Sequence, residues 1–138
     1  MVKQNLHAFI AKHTLAVVST VKPDKTPASA VVGFVANTEL ELLFDTLNTS
    51  RKYKYLLENP HISVVIGWDF EQTLQYEGTA ELVTKEDAPE LFETYFDTFP
   101  EGFERHKRLD NIVYFRVKPK WVRFAEYHAP VVIEEMRF

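Results

Sequence analysis

Cysteine is absent from the chain, which removes disulfides, thiolate metal sites and thiol nucleophiles together. Long hydrophobic runs are absent too, and no window approaches the roughly 20 apolar residues of a membrane span. The first residues, MVKQNLHAFIAKHT, lack the apolar core of a signal peptide, so a cytoplasmic protein is expected, with no membrane partner. There is no basic excess. The formal net charge is -4 and the pI about 5.7, which argues against a nucleic-acid partner. The five histidines, His7, His13, His61, His106 and His128, show no ligand spacing such as His-x-x-x-His. With no cysteine to help them, no metal site is expected. Repeats, low-complexity tracts and linkers are missing as well, and 138 residues suit a single domain spanning 1–138.

What the chain has in quantity is aromatic: eleven Phe, six Tyr and two Trp. Such an excess suits a β-rich core or a subunit interface. Leu6, Phe9 and Ile10 recur at helical spacing within residues 3–12. From Thr14 the pattern becomes β-branched to Val21, and Lys22-Pro23-Asp24 signals a turn. Residues 28–36 read as a second strand with Gly33 inside it, and residues 40–46 as a third, giving a β-meander. A helix over 51–58 is stopped by Asn59-Pro60. Ile62 to Trp68 is a nearly continuous apolar strand, and Thr73 to Val83 alternates cleanly. Gly78, in its middle, predicts a bulge or bend of the kind a closing barrel needs. A helical stripe of Ala88, Leu91, Phe92, Tyr95, Phe96 and Phe99 follows, read as packing surface. Two last strands, 112–117 and 121–125, join at Lys118-Pro119-Lys120. The sum is mainly β with flanking helices, a small antiparallel barrel of six to seven strands.

The run Thr46-Leu47-Asn48-Thr49-Ser50-Arg51-Lys52 lies where the third strand gives way to the helix. Ser50 is a good N-cap, and the first N–H groups of the helix have no intrahelical acceptor. With the helix dipole they favour an anion. Arg51 and Lys52 add full charge, and Arg can grip a phosphate through two N–H groups. Alone, the run fits a solvated helix start or a phosphate site. Trp68 and Trp121 read as core, interface or cofactor contacts. Arg123 reads as a surface ion pair, and Asp24, Asp69 and Asp87 as turn or cap residues. No acid–base pair stands out, so the catalytic residues are not assigned.

Set in order, the motifs resemble those of a known family. A small-residue strand (ASAVVGFV) precedes LLFDT, then Ser-Arg-Lys opens a helix. Asn-Pro, an apolar strand ending in Trp (ISVVIGW) and a strand closing in Glu-Gly (TLQYEG) follow. This order resembles the FMN-binding split barrel of the pyridoxamine 5'-phosphate oxidase-like superfamily, with a weaker match at PKWVRF. The resemblance implies that Thr46, Ser50, Arg51 and Lys52 hold the FMN phosphate. It implies that Val31, Val32 and Gly33 lie along the flavin ring and ribityl chain. Asp45 stands where the family often has an aromatic residue. Gln72 or Thr73 would reach the polar edge of the flavin from a second subunit, and Trp121 would cap the ring. A homodimer with flavin at the subunit interface is implied, and the helix at 86–99 would cover the cleft or pack at the dimer seam.

Oxidases of the vitamin phosphate carry an Arg at the start of the second strand and a Lys near its end. They also carry a C-terminal Trp-to-Arg motif. Here the strand reads Ala30-Val31-Val32-Gly33-Phe34-Val35 and the chain ends in VVIEEMRF. The resemblance is therefore to the short general-stress and flavin-reductase-like branch. It implies a flavin-dependent oxidoreductase acting on a small-molecule substrate, or with an electron donor such as NAD(P)H. The alternatives are a flavin- or haem-binding module without turnover and a deazaflavin-dependent reductase.

Overall fold

A computed structural model describes residues 2–138. Helix α1 (Val2–Ile10) leads into β1 (Leu15–Val21), β2 (Pro27–Gly33), β3 (Val35–Ala36) and β4 (Leu42–Leu47). Helix α2 (Arg51–Glu58) precedes β5 (His61–Ile66) and β6 (Gln72–Val83). Helices α3 (Pro89–Thr98) and α4 (Pro100–Arg108) come before β7 (Ile112–Glu126) and β8 (Val132–Arg137). The strands hydrogen-bond in the order β2-β1-β5-β6-β7-β4-β3, with β8 added to β7. All pairings are antiparallel. The sheet curls until β2 comes within contact of β4, yet no ladder joins them. That gap is the split of a split barrel.

Alternation along the strands sorts side chains between two cores. Val18, Val32, Phe44, Val64, Tyr76, Phe115 and Val122 point into the barrel, where Leu6, Phe9 and Ile10 of α1 join them. Leu43 and Tyr114, on the other faces of β4 and β7, meet Val35, Leu91, Phe92 and Tyr95 beneath α3. β4 is thus buried on both sides, which accounts for its unbroken Leu42-Leu43-Phe44 run. Tyr76, fully buried, donates its hydroxyl to Leu40 O at 2.7 Å. Burial pushes that phenol well above the ordinary tyrosine range.

The longest ladder joins β6 to β7, and its register shifts between Glu77 and Gly78. Glu77 pairs with Trp121 but Gly78 pairs with Pro119, so Lys120 is the extra residue of a bulge. A Cβ at Gly78 would lie 2.1 Å from Lys118 O, a distance only glycine avoids. At this point β7 changes partner. Its residues 112–117 pair with β4 and its residues 121–126 with β8.

Several sequence expectations shift. The two final strands are one, because Pro119 sits at the bulge where the ladder is already interrupted. The second strand breaks at Phe34 into β2 and β3, which lie at opposite ends of the sheet. Leu40 takes φ 62 in a turn, so the third strand starts at Leu42. The helical zone is two helices, and it starts at Pro89 because Asp87 is spent on a turn, accepting from Thr84 N at 2.8 Å. Trp68 is exposed (53%) and lies outside the core of the chain. β8 was not anticipated. Among the described residues no helix is long and apolar enough to cross a membrane.

Gly78→Ala is expected to destabilise the fold by about 2 kcal/mol or more, the scale of an overpacked site. The check is the urea midpoint, which should fall with an unchanged slope; an unaltered midpoint would contradict the bulge geometry.

Candidate functional site

Thr46 follows Leu42 and Phe44 on the inner face of β4 and is buried. Its Oγ1 donates to Ser50 Oγ at 2.8 Å. Ser50 takes the expected N-cap conformation (φ -74, ψ 156) and accepts from Tyr53 N at 3.2 Å. With two bonds accepted, the serine proton is left to donate elsewhere. The amides of Arg51 and Lys52 open the helix without intrahelical acceptors. Strand end, cap and first helical turn therefore present donors in one place.

Arg51 and Lys52 border a cleft of about 440 Å³ between α2 and the strands β1 and β2. Val18 and Thr20 of β1 line it, with Ala28, Ser29 and Ala30 of β2 and Arg51, Lys52 and Tyr55 of α2. Arg51 is steadied along its own helix: Nε donates to Tyr55 Oη at 3.2 Å, and the guanidinium lies 5.6 Å from that ring. Among the described residues neither Arg51 nor Lys52 has a carboxylate within 4.0 Å. In a chain of net charge -4, two cations without an acidic partner beside a capped helix start have the donor chemistry that an anion requires. No histidine lines the cleft.

The remaining sequence candidates do not all converge here. Val31 and Gly33 face outward on β2 while Val32 points into the barrel, so the three do not share a face. Val31 is 62% exposed. Alternation turns Asp45 away from Thr46 and toward α4, where Arg105 lies 3.8 Å away. Among the described residues its buried Oδ2 has no hydrogen-bond donor. Burial, then the field of Asp45, raises the Tyr95 hydroxyl well above its ordinary range. The same two causes push Tyr114 up to about 12.

Gln72 opens β6, its amide bonded to Glu126, and Thr73 follows on the outer face. Three strand spacings separate β6 from β2, roughly 14 Å at about 4.8 Å each. Within one chain, Gln72 and Thr73 do not line the cleft. Trp121 lies on the outer face of β7, donating Nε1 to Glu135, also apart from it. Arg123 pairs with Glu135 at 3.8 Å, the surface ion pair expected of it. Sequence reasoning missed Thr20 as a cleft hydroxyl; Ser29 lines the cleft by its place on the edge strand, while its hydroxyl is bonded to that of Ser19 at 2.7 Å on the outer face. It also missed the ring of Phe99 seated on Gly33. Alternation in TLAVVST could have pointed to Thr20, whereas Phe99 comes from a distant helix and left no local signal.

The sequence profile of the family described as pyridoxamine 5'-phosphate oxidase matches residues 2–126. Pyridoxine/pyridoxamine 5'-phosphate oxidase of Bacteroides thetaiotaomicron is 31% identical over 91 residues. That match takes in 65% of this chain but only 43% of the relative, so the chain spans less than half of it. Among solved structures, General Stress Protein 26 from Bacillus anthracis superposes with TM-score 0.75 at 21% identity, over 99% of this chain and 98% of that one. A haem-binding protein from Mycobacterium smegmatis superposes with TM-score 0.83 at 10% identity, over 99% and 58%. At these identities the two structures show a shared fold.

Ser50→Ala should cost about 1 kcal/mol, the usual loss of an N-cap. Thr46→Val should cost less, since the Tyr53 N bond survives. Urea unfolding of both variants checks the order, and a larger loss for Thr46→Val would contradict the cap assignment.

Proposed function

The chain belongs to the pyridoxamine 5'-phosphate oxidase family, and we propose that it binds FMN in the split of the barrel as a flavin-dependent oxidoreductase. The observation that carries this reading is the pair Arg51 and Lys52, without acidic partners, at the capped start of α2 beside the cleft. Thr46, Ser50, Arg51 and Lys52 would hold the phosphate, with Thr20 adding a hydroxyl from the facing strand. Bound FMN would supply the two-electron chemistry, which agrees with a site lacking an acid–base pair of its own. The task of the chain is to bind, orient and shield. The inner strand residues keep one side of the cleft dry, and the cations neutralise the phosphate dianion.

Two copies make a fuller site than one. Leu15, Val17, Val31 and Val65 form an apolar strip on the outer face of β1, β2 and β5, with Val17 in register with both other valines. A face of this kind suits a second copy of the chain. A homodimer built on it would let Gln72, Thr73 or Trp121 of one copy approach a flavin held by the other. NAD(P)H is the natural donor to test.

Haem is the second reading, favoured by the superposition on a haem-binding protein. The cleft counts against it, because it offers two cations and no histidine.

One titration series tests the reading. Protein stripped of ligand should quench FMN fluorescence saturably and run as a dimer in sedimentation. Arg51→Ala combined with Lys52→Ala should weaken FMN at least tenfold, as loss of charge-assisted bonds requires. Absence of quenching by the unaltered protein, with a Soret band on adding haem, would overturn the flavin reading in favour of haem.

A further inference from the structure

The β6–β7 ladder ends at the pair Val83 and Tyr114, but β7 begins two residues earlier, at Ile112. On the side that β6 has left, Ile112 and Val113 face no strand; on the other they pair with Leu47 and Thr46 of β4. A second cleft, of about 450 Å³, lies against this open edge, a size that small ligands occupy. Leu82, Val83, Phe92, Ile112 and Val113 give it an apolar wall, and Leu82 is left 44% exposed. No lining residue is shared with the cleft at Arg51 and Lys52.

One polar pair is built into this wall. His106 Nδ1 and Tyr114 Oη lie 3.0 Å apart, and both residues line the cleft. Among the described residues the Tyr114 hydroxyl has no other hydrogen-bond partner. Its proton therefore goes to Nδ1, and the ring's own proton sits on Nε2. That Nε2–H has no acceptor among the described residues. The imidazole also rests against the ring of Phe96, with centroids 5.5 Å apart, so the donor is held in place. Charge around it favours an anion. Among the described residues neither Lys85, which lines the cleft, nor Arg108 at the end of α4 has a carboxylate within 4.0 Å. Arg105 and Lys107, on either side of His106, partner Asp45 and Glu104. Glu86 is the one carboxylate in the lining. Asp87 beside it is engaged in its turn, accepting from Thr84 N at 2.8 Å and Thr84 Oγ1 at 3.1 Å.

We propose that this cleft is a second binding site, which takes a small apolar monocarboxylate. The apolar body lies on Leu82 and Ile112, while the carboxylate accepts from His106 Nε2 and pairs with Lys85. The site stands on its own residues and does not depend on the flavin reading.

The test uses the full chain carrying nitrogen-15 in its histidines, the His106 ring signal being the one lost in His106→Gln. Benzoate is expected to move that signal saturably and to leave the other histidines in place. Benzylamine, its charge-reversed analogue, should leave the His106 signal where it is at the same concentrations. Lys85→Glu reverses an exposed charge and should weaken benzoate about fivefold or more, with an unchanged urea midpoint. Excess FMN should leave the benzoate response intact. A stationary His106 signal, an equal response to benzylamine, or unaltered benzoate affinity in Lys85→Glu would overturn the site. So would displacement by FMN, which would put benzoate in the cleft at Arg51 and Lys52.

Discussion

The contact of Gly78 with the Lys118 carbonyl governs the rest of the structure. Because the two backbones touch, the β6–β7 ladder can bulge and turn at its midpoint. One half of β7 then pairs with β4 and the other with β8. A straight ladder would carry both neighbours along one flat edge. The bend swings β4 round until its end approaches β2, and α2, which follows β4, forms one wall of the cleft. Fold and site therefore share one cause, a position where no side chain fits.

The second constraint is the two-residue period of β4. Thr46 and Asp45 are adjacent in sequence and belong to different environments. Thr46 joins Ser50 at the capped helix start, and Asp45 joins Arg105, Tyr95 and Tyr114 under α3 and α4. A one-residue slip of β4 against β7 would exchange them, placing a carboxylate beside the candidate phosphate donors. The register is held by Leu43 and Phe44, buried on opposite faces. Core packing thus fixes which sign of charge faces the cleft.

Much of this was legible because it is local. The N-cap of α2, the stop at Asn59-Pro60 and the glycine bulge each depend on residues within a few positions of one another. The family order of motifs extended that reach to the barrel as a whole. What escaped reading was non-local. β8 is a strand because β7 is long enough to offer it an edge, while its own sequence, VIEEMR, alternates weakly. Pro119 looked like a break between strands, yet it falls where the ladder was already interrupted. The split between Val31 and Val32 follows from alternation, which a consecutive motif conceals.

Phe99 shows the same limit from the side of packing. Its stripe on α3 marked it as packing surface, and packing is what it does; the surface it packs on is the backbone of Gly33. A larger residue at 33 would displace the ring, and a smaller one at 99 would open the end of β2 to solvent. The glycine in the strand and the aromatic in the helix joint are therefore one feature divided between two segments. At the other end of β2, Arg51 and Lys52 present charge beside Thr20. The cleft and the Phe99 contact thus lie toward opposite ends of β2 and on opposite faces of it.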